Sequence, residues 1–235
     1  MAMRSRRILQ AMGAVVIAAG GLLVGAGGPA ASAEPCPDAE VVFARGTAEP
    51  PGVGGVGQAF VDSVRAQAGG KNVAVYPVNY AASGNFNDRM EIARTVVDGI
   101  RDERDRVQFM ATTCPDTKLI LGGYSQGAAL TGFVTSAAVP AGVPAALVPA
   151  PLTADLAAHV AAVVLFGQPS GAFLQHYDVP ALEIGPLFAD KTLSLCAPGD
   201  SVCETVPVGG PSLAHALYPM NGMVGQGAAF AVNRI

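Results

Sequence analysis

The chain has 235 residues, 51% of them hydrophobic and 14% charged, with a formal net charge of −4. That is enough apolar sequence for one compact domain with a full core, and the acidic balance leaves no basic face for nucleic acid. Four cysteines and three histidines fall nowhere at zinc-ligand spacing, so neither a metal nor another cofactor is expected.

The chain opens with Arg4, Arg6 and Arg7, an uncharged run over residues 11–27, and the small residues Ala31-Ser32-Ala33. This order predicts a secretory signal peptide over residues 1–33, with the mature domain over 34–235. The run is short and rich in Gly and Ala, which favours cleavage over a retained membrane anchor. Ser5-Arg6-Arg7-Ile8-Leu9 half-matches a twin-arginine signal and leaves the export route open. In a secreted or cell-envelope protein, Cys36, Cys114, Cys196 and Cys203 read as two disulfides with three possible pairings. Cys196–Cys203 is the preferred local staple, which leaves Cys36–Cys114.

Residues 40–44 form a short buried-type strand, ended by Arg45-Gly46-Thr47 and a Pro/Gly-rich loop. Phe60, Val61 and Val64 follow at helical spacing until Gly69-Gly70, and residues 72–76 give a second strand. Asn87 is a candidate cap for a long helix through Met110, whose mixed-sign run over 101–106 reads as a solvated face. A strand at 118–121 leads into a helix to about Ala138. Residues 139–152 carry four prolines and no charge and read as a connector at the amino-terminal ends of the strands, away from the candidate site. A short helix then precedes a central strand at 162–166, a loop runs from Gly167 to about Asp190, and 192–195 is the last strand. Alternating strands and helices over one domain predict a mostly parallel sheet covered on both faces.

The stretch that carries chemistry is Gly-Tyr-Ser-Gln-Gly, from Gly123 to Gly127, between a strand and a small-residue helix. A serine on such a turn clears the sheet edge, and the new helix points backbone N–H groups at it. Serine is a weak nucleophile without a base, and the base needs an orienting carboxylate. His159 precedes a strand, at the wrong end of the sheet, and the acids after His176 lack a fixed frame. His215 follows Asp200, which sits between Cys196 and Cys203 in a loop that a disulfide would hold rigid. The expected triad is therefore Ser125, His215 and Asp200. The expected oxyanion donors are the Gln126 N–H and, from the loop after the first strand, the N–H and hydroxyl of Thr47. Pro51, Val53, Phe86, Phe173, Leu174, Val206, Val208 and Leu213 all fall in loops on the serine side, where they could form an apolar rim.

Ala44-Arg45-Gly46-Thr47, Gly123 to Ala128, Leu165-Phe166-Gly167, Gly199 to Cys203, and His215 with Tyr218 together resemble the cutinase family. The resemblance implies a single-domain, lidless α/β-hydrolase with the triad, oxyanion donors and disulfide pairs named above. Fungal cutinases commonly have Ser where Thr47 stands, and the 139–152 connector is longer here. The implied activity is that of a serine esterase acting on carboxylic esters of short- to medium-chain acyl groups through an acyl-enzyme on Ser125. Its expected partners are a small-molecule or lipid ester and a transiently contacted lipid surface, with the protein a monomer. Phospholipase, thioesterase and acetylxylan-type carbohydrate esterase activity are alternatives on the same site. A secreted binding protein on an inactive hydrolase fold is the alternative from another class.

Overall fold

The computed structural model describes residues 35–205 and 210–235; the signal-peptide expectation and Val206 and Val208 lie outside the described residues. The body from Cys36 to Ile235 is built on five parallel strands: β1 (Ala39–Ala44), β2 (Val73–Pro77), β3 (Lys118–Tyr124), β4 (Val160–Phe166) and β5 (Thr192–Leu195). They lie in the order β2-β1-β3-β4-β5, so the strands entering the middle of the sheet must be apolar on both sides. β1 is buried at every position.

Successive side chains leave a strand on opposite faces, and each strand splits accordingly. Val41, Phe43, Ile120, Val164 and Phe166 join a core with α1 (Gly54–Gln67) and the carboxyl-terminal α7 (Met223–Val232). Val42, Leu119, Leu121, Val163 and Leu165 join a second core with α2 (Arg89–Thr113), α3 (Gln126–Val134) and α4 (Ala154–His159). On the first face, Phe60 stands 5.9 Å from Phe43 and 5.4 Å, edge-on, from Phe166, ring centre to ring centre.

Several elements differ in detail from the sequence expectation. α2 starts at Arg89 with Asp88 as its cap, its side chain accepting from the Glu91 N–H at 3.0 Å, rather than Asn87. α3 stops at Val134, short of Ala138. The loop after Gly167 contains α5 (Gly171–His176), where Ser170 caps the Phe173 N–H. The short helical turn that the sequence predicts to begin at His215 is α6 (Leu213–Ala216), which starts two residues earlier and carries His215 within it. α7 has no counterpart among the elements expected from sequence; its Gly and Ala residues give little apolar contrast, and at Gly227 a Cβ would meet Val164 Cγ1 at 2.8 Å.

The charged run in α2 is not a purely solvated face. Glu103 is fully buried and its Oε2 accepts from the Thr131 hydroxyl at 2.9 Å. Arg106 reaches the buried Glu40 of β1 with both Nε and Nη2. Disulfides join Cys36 to Cys114, at the end of α2, and Cys196 to Cys203, around Asp200.

Candidate active site

β3 and α3 meet at Ser125 so tightly that only glycine fits on either side. A Cβ at Gly123 would stand 2.3 Å from Gly127 O, and one at Gly127 would stand 2.0 Å from Ala44 O. Ser125 itself has φ 55 and ψ −117, a strained conformation for a residue with a side chain. Its N–H donates to Phe166 O at 2.9 Å and its C=O accepts from the Ala129 N–H at 3.1 Å. The turn is thus fixed to the sheet and to the helix, and its hydroxyl is left facing outward at the carboxyl ends of the strands.

His215 Nε2 lies 2.8 Å from Ser125 Oγ, and His215 Nδ1 lies 2.9 Å from both oxygens of Asp200. The carboxylate favours the tautomer with the proton on Nδ1, which leaves Nε2 to accept from the serine. The imidazole stacks on Tyr124 at 5.0 Å, and the Tyr124 hydroxyl donates to His215 O at 2.7 Å. Asp200 is buried. Burial alone would push its carboxyl up, but hydrogen bonds from His215, Tyr218 and the Val202 N–H hold it below the ordinary carboxylate range. The Tyr218 hydroxyl donates to Asp200 Oδ2 at 2.7 Å and accepts from the Ala197 N–H at 3.0 Å. Burial, followed by that carboxylate, raises the phenol's pKa and keeps it a donor.

Gln126 opens α3, where backbone N–H groups have no helical partner. Its side-chain amide donates to Ser83 O at 3.0 Å. Thr47 lies with Ser125, Gln126 and His215 on the wall of one cavity. The loop that carries Thr47 is held from beneath. Glu49 accepts from the Gly46 N–H at 2.6 Å and the Gly55 N–H at 2.7 Å, and buried Arg45 donates to Glu49 O and Tyr80 O. Sequence reasoning assigns no role to Glu49 or Arg45; the one signal for them is an acid isolated in a Pro/Gly-rich loop.

The other histidines stand apart from the serine. His159 ends α4 with Nδ1 3.0 Å from Pro115 O, and His176 ends α5 on the surface. Among the described residues no cluster of His, Cys, Asp and Glu could hold a metal ion.

The cavity beside Ser125 has a volume of about 860 Å³. Phe86, Phe173, Leu174 and Leu213 line it as the sequence suggested, whereas Val53 is packed into the α1 face of the core and Pro51 is not part of the wall. The expectation for residues 139–152 is corrected. Val139, Pro140, Val143, Val148 and Pro149 line this same cavity, so the segment is a wall of the site and not a remote connector. The reasoning from topology holds only for its ends. A fully extended stretch of this length reaches on the order of 45 Å, ample to climb alongside α3.

A parallel sheet that presents a serine on a strained strand-to-helix turn, with helices on both faces, defines an α/β-hydrolase. Among such proteins the chain belongs to the cutinase family, whose sequence profile matches residues 35–235, and it is a serine carboxylic ester hydrolase. It is 54% identical over 169 residues to the probable carboxylesterase Culp7 of Mycobacterium tuberculosis, covering 72% of this chain and 88% of that one. It is 45% identical over 231 residues to phospholipase Culp4 of the same organism, covering 98% and 93%. The solved structure of Trichoderma reesei cutinase in complex with a C11Y4 phosphonate inhibitor matches with a TM-score of 0.60 at 31% identity, covering 85% of this chain and 77% of that one. Among the described residues no helix is long and apolar enough to cross a membrane.

Proposed function

We propose that the protein is a secreted esterase that hydrolyses carboxylic esters of short- to medium-chain acyl groups through an acyl-enzyme on Ser125. His215 Nε2 takes the hydroxyl proton as Ser125 Oγ bonds to the ester carbonyl carbon. The carbonyl oxygen becomes an oxyanion, received by the N–H groups of Gln126 and Thr47 and the Thr47 hydroxyl. The carbon–oxygen bond to the alcohol then breaks, and the imidazolium gives its proton to that leaving oxygen. Water repeats the sequence: His215 takes its proton, the carboxylic acid leaves, and the proton returns to Ser125. Asp200 holds the imidazole in the required tautomer and stabilises its cation.

The observation that carries this reading is the unbroken hydrogen-bonded line from Ser125 through His215 to Asp200 at the mouth of an apolar cavity. Export is supported by the leader composition and the two disulfides. Leu213, Met90 and Phe86, which are 75%, 60% and 47% exposed, lie around the cavity and support brief contact with a lipid surface. The phospholipase reading uses the same atoms on a glycerol ester and is favoured by the likeness to Culp4. Replacing Ser125 with Ala is expected to lower kcat on soluble acyl esters by about a thousandfold or more. Unchanged hydrolysis by a folded Ser125→Ala variant would refute the proposal.

A further inference from the structure

The cavity extends far beyond what a short acyl group needs. On α2 it is lined by Met90, Ala93, Val97, Ile100 and Arg104, whose spacing puts them in one stripe along the helix. At about 1.5 Å per residue that stripe is on the order of 20 Å long. Opposite it run Gln126, Ala129 and Phe133 of α3, again three to four residues apart. The two stripes make a lane that begins at Ser125 and leads away from the mouth.

Its outer wall is the uncharged segment over residues 139–151. Four prolines stiffen it, and turns close from the Val143 N–H to Pro140 O and from the Leu147 N–H to Pro144 O. Arg101, on α2, donates from Nη2 to Leu147 O at 2.6 Å and from Nη1 to Asp98 Oδ1 at 2.9 Å. The wall is therefore pinned to the helix it covers. Arg104 stands at the far end, its Nε buried without a hydrogen-bond partner.

We infer that this lane is an acyl channel, built to take the whole hydrocarbon tail of a long-chain lipid ester while its carbonyl sits at Ser125. The inference rests on the esterase reading and extends it from short and medium chains to long ones. One leaflet of a bilayer has hydrocarbon about 15 Å deep, so the stripe along α2 is long enough to lie against a tail of membrane-lipid length. An alkyl chain is the occupant that matches the lining: the wall supplies methyl, methylene and ring surface along its length, and the polar groups gather at the two ends. Each methylene transferred from water into such surface favours the bound state by about fourfold. The guanidinium of Arg104 sets the limit, because a methyl terminus gains nothing by pressing on a cation.

The test compares kcat/KM of the full chain for dissolved acetyl, butyryl, octanoyl, lauroyl and palmitoyl esters of one chromogenic alcohol. The same series is run on Val97→Trp, which blocks the lane from α2, and on Val143→Trp, which blocks it from the proline-rich wall without touching the helix. Laurate binding to Ser125→Ala, with and without the Val97→Trp block, is measured by calorimetry. The expected result is a rise of about tenfold or more from butyryl to lauroyl, and a fall of that ratio by about tenfold in both blocked variants. A wild type that prefers butyryl, or a lauroyl-to-butyryl ratio unmoved by both blocks, overturns the channel. If no ester is hydrolysed but laurate binds Ser125→Ala and the block abolishes binding, the esterase reading falls and the channel stands. Failure of both hydrolysis and binding removes both.

Discussion

The two faces of this sheet begin from the same alternating strands and end differently. On the α1–α7 face, Phe43, Phe60, Phe166 and Tyr218 interlock ring against ring, and the helices close directly over them. On the α2–α3 face the residues next to the sheet are equally buried, but the next layer is not filled. A cavity of about 860 Å³ lies between the helices and the proline-rich segment over residues 139–151. The closed face supplies stability and a rigid platform for the Ser125 turn; the open face supplies the cavity in which the proposed function places the substrate. Packing that leaves such space forgoes contacts a core would otherwise make.

Substitutions can break this contrast from either side. The largest expected effect is at the triad. Asp200→Asn keeps the size of the side chain but can donate to Nδ1, favouring the wrong imidazole tautomer, and should cut kcat by about 10⁴ while leaving the melting temperature within a few degrees. A loss of less than about tenfold in steady-state ester hydrolysis would mean that His215 does not depend on Asp200.

Next in size is the closed face. Phe60→Ala removes a ring from the aromatic cluster and should destabilise the fold by about 3–5 kcal/mol, lowering Tm on the order of 10 °C by differential scanning calorimetry. Its chain-length profile should match the wild type's. The reverse pattern is expected of Val97→Trp, and a shared pattern would erase the distinction between the faces.

The smallest effect concerns Glu103, beneath the open face. Burial pushes its carboxyl up to about 8 against the opposing Thr131 hydrogen bond. The folded chain therefore keeps a proton that the unfolded chain releases in the ordinary carboxylate range. The stability this contributes is full below that range and is lost as pH rises through about 8. Glu103→Gln should flatten this decline, with melting curves of the two proteins diverging by a few degrees toward alkaline pH. Parallel curves would mean that Glu103 is not held protonated by the fold.

How much of this was legible in the sequence depends on whether the signal was local. Four of the strands are legible as short apolar runs bounded by turn residues, and β5 (Thr192–Leu195) as an alternation of polar and apolar residues. Ser125 is legible because the turn requires glycine at 123 and 127, where any added Cβ would strike backbone. Asp200 and His215 could be selected by elimination among three histidines and by chain order. Glu103 was hidden in a run of mixed charge, although Gly99, Val107 and Met110 share its helical phase and mark the inward side. α7 was missed because its buried face is largely Gly and Ala, a pattern that becomes meaningful only against Val164 and Phe166. The wall over residues 139–151 was misplaced for another reason. Topology fixes where a connection starts and ends, but not the path of one long enough to fold back along α3. Glu49 and Arg45 act through backbone groups of their own loop, and no periodicity announces that.

The central claim is that Ser125 Oγ is the nucleophile. It is tested most directly by treating the full chain with an alkyl phosphonate ester and measuring intact mass, followed by peptide mapping. One phosphonyl group should be added, the phosphorus bonded to Ser125 Oγ with loss of its alcohol, and the folded Ser125→Ala variant should gain none. Labelling at another residue, or equal labelling of the variant, would contradict the account.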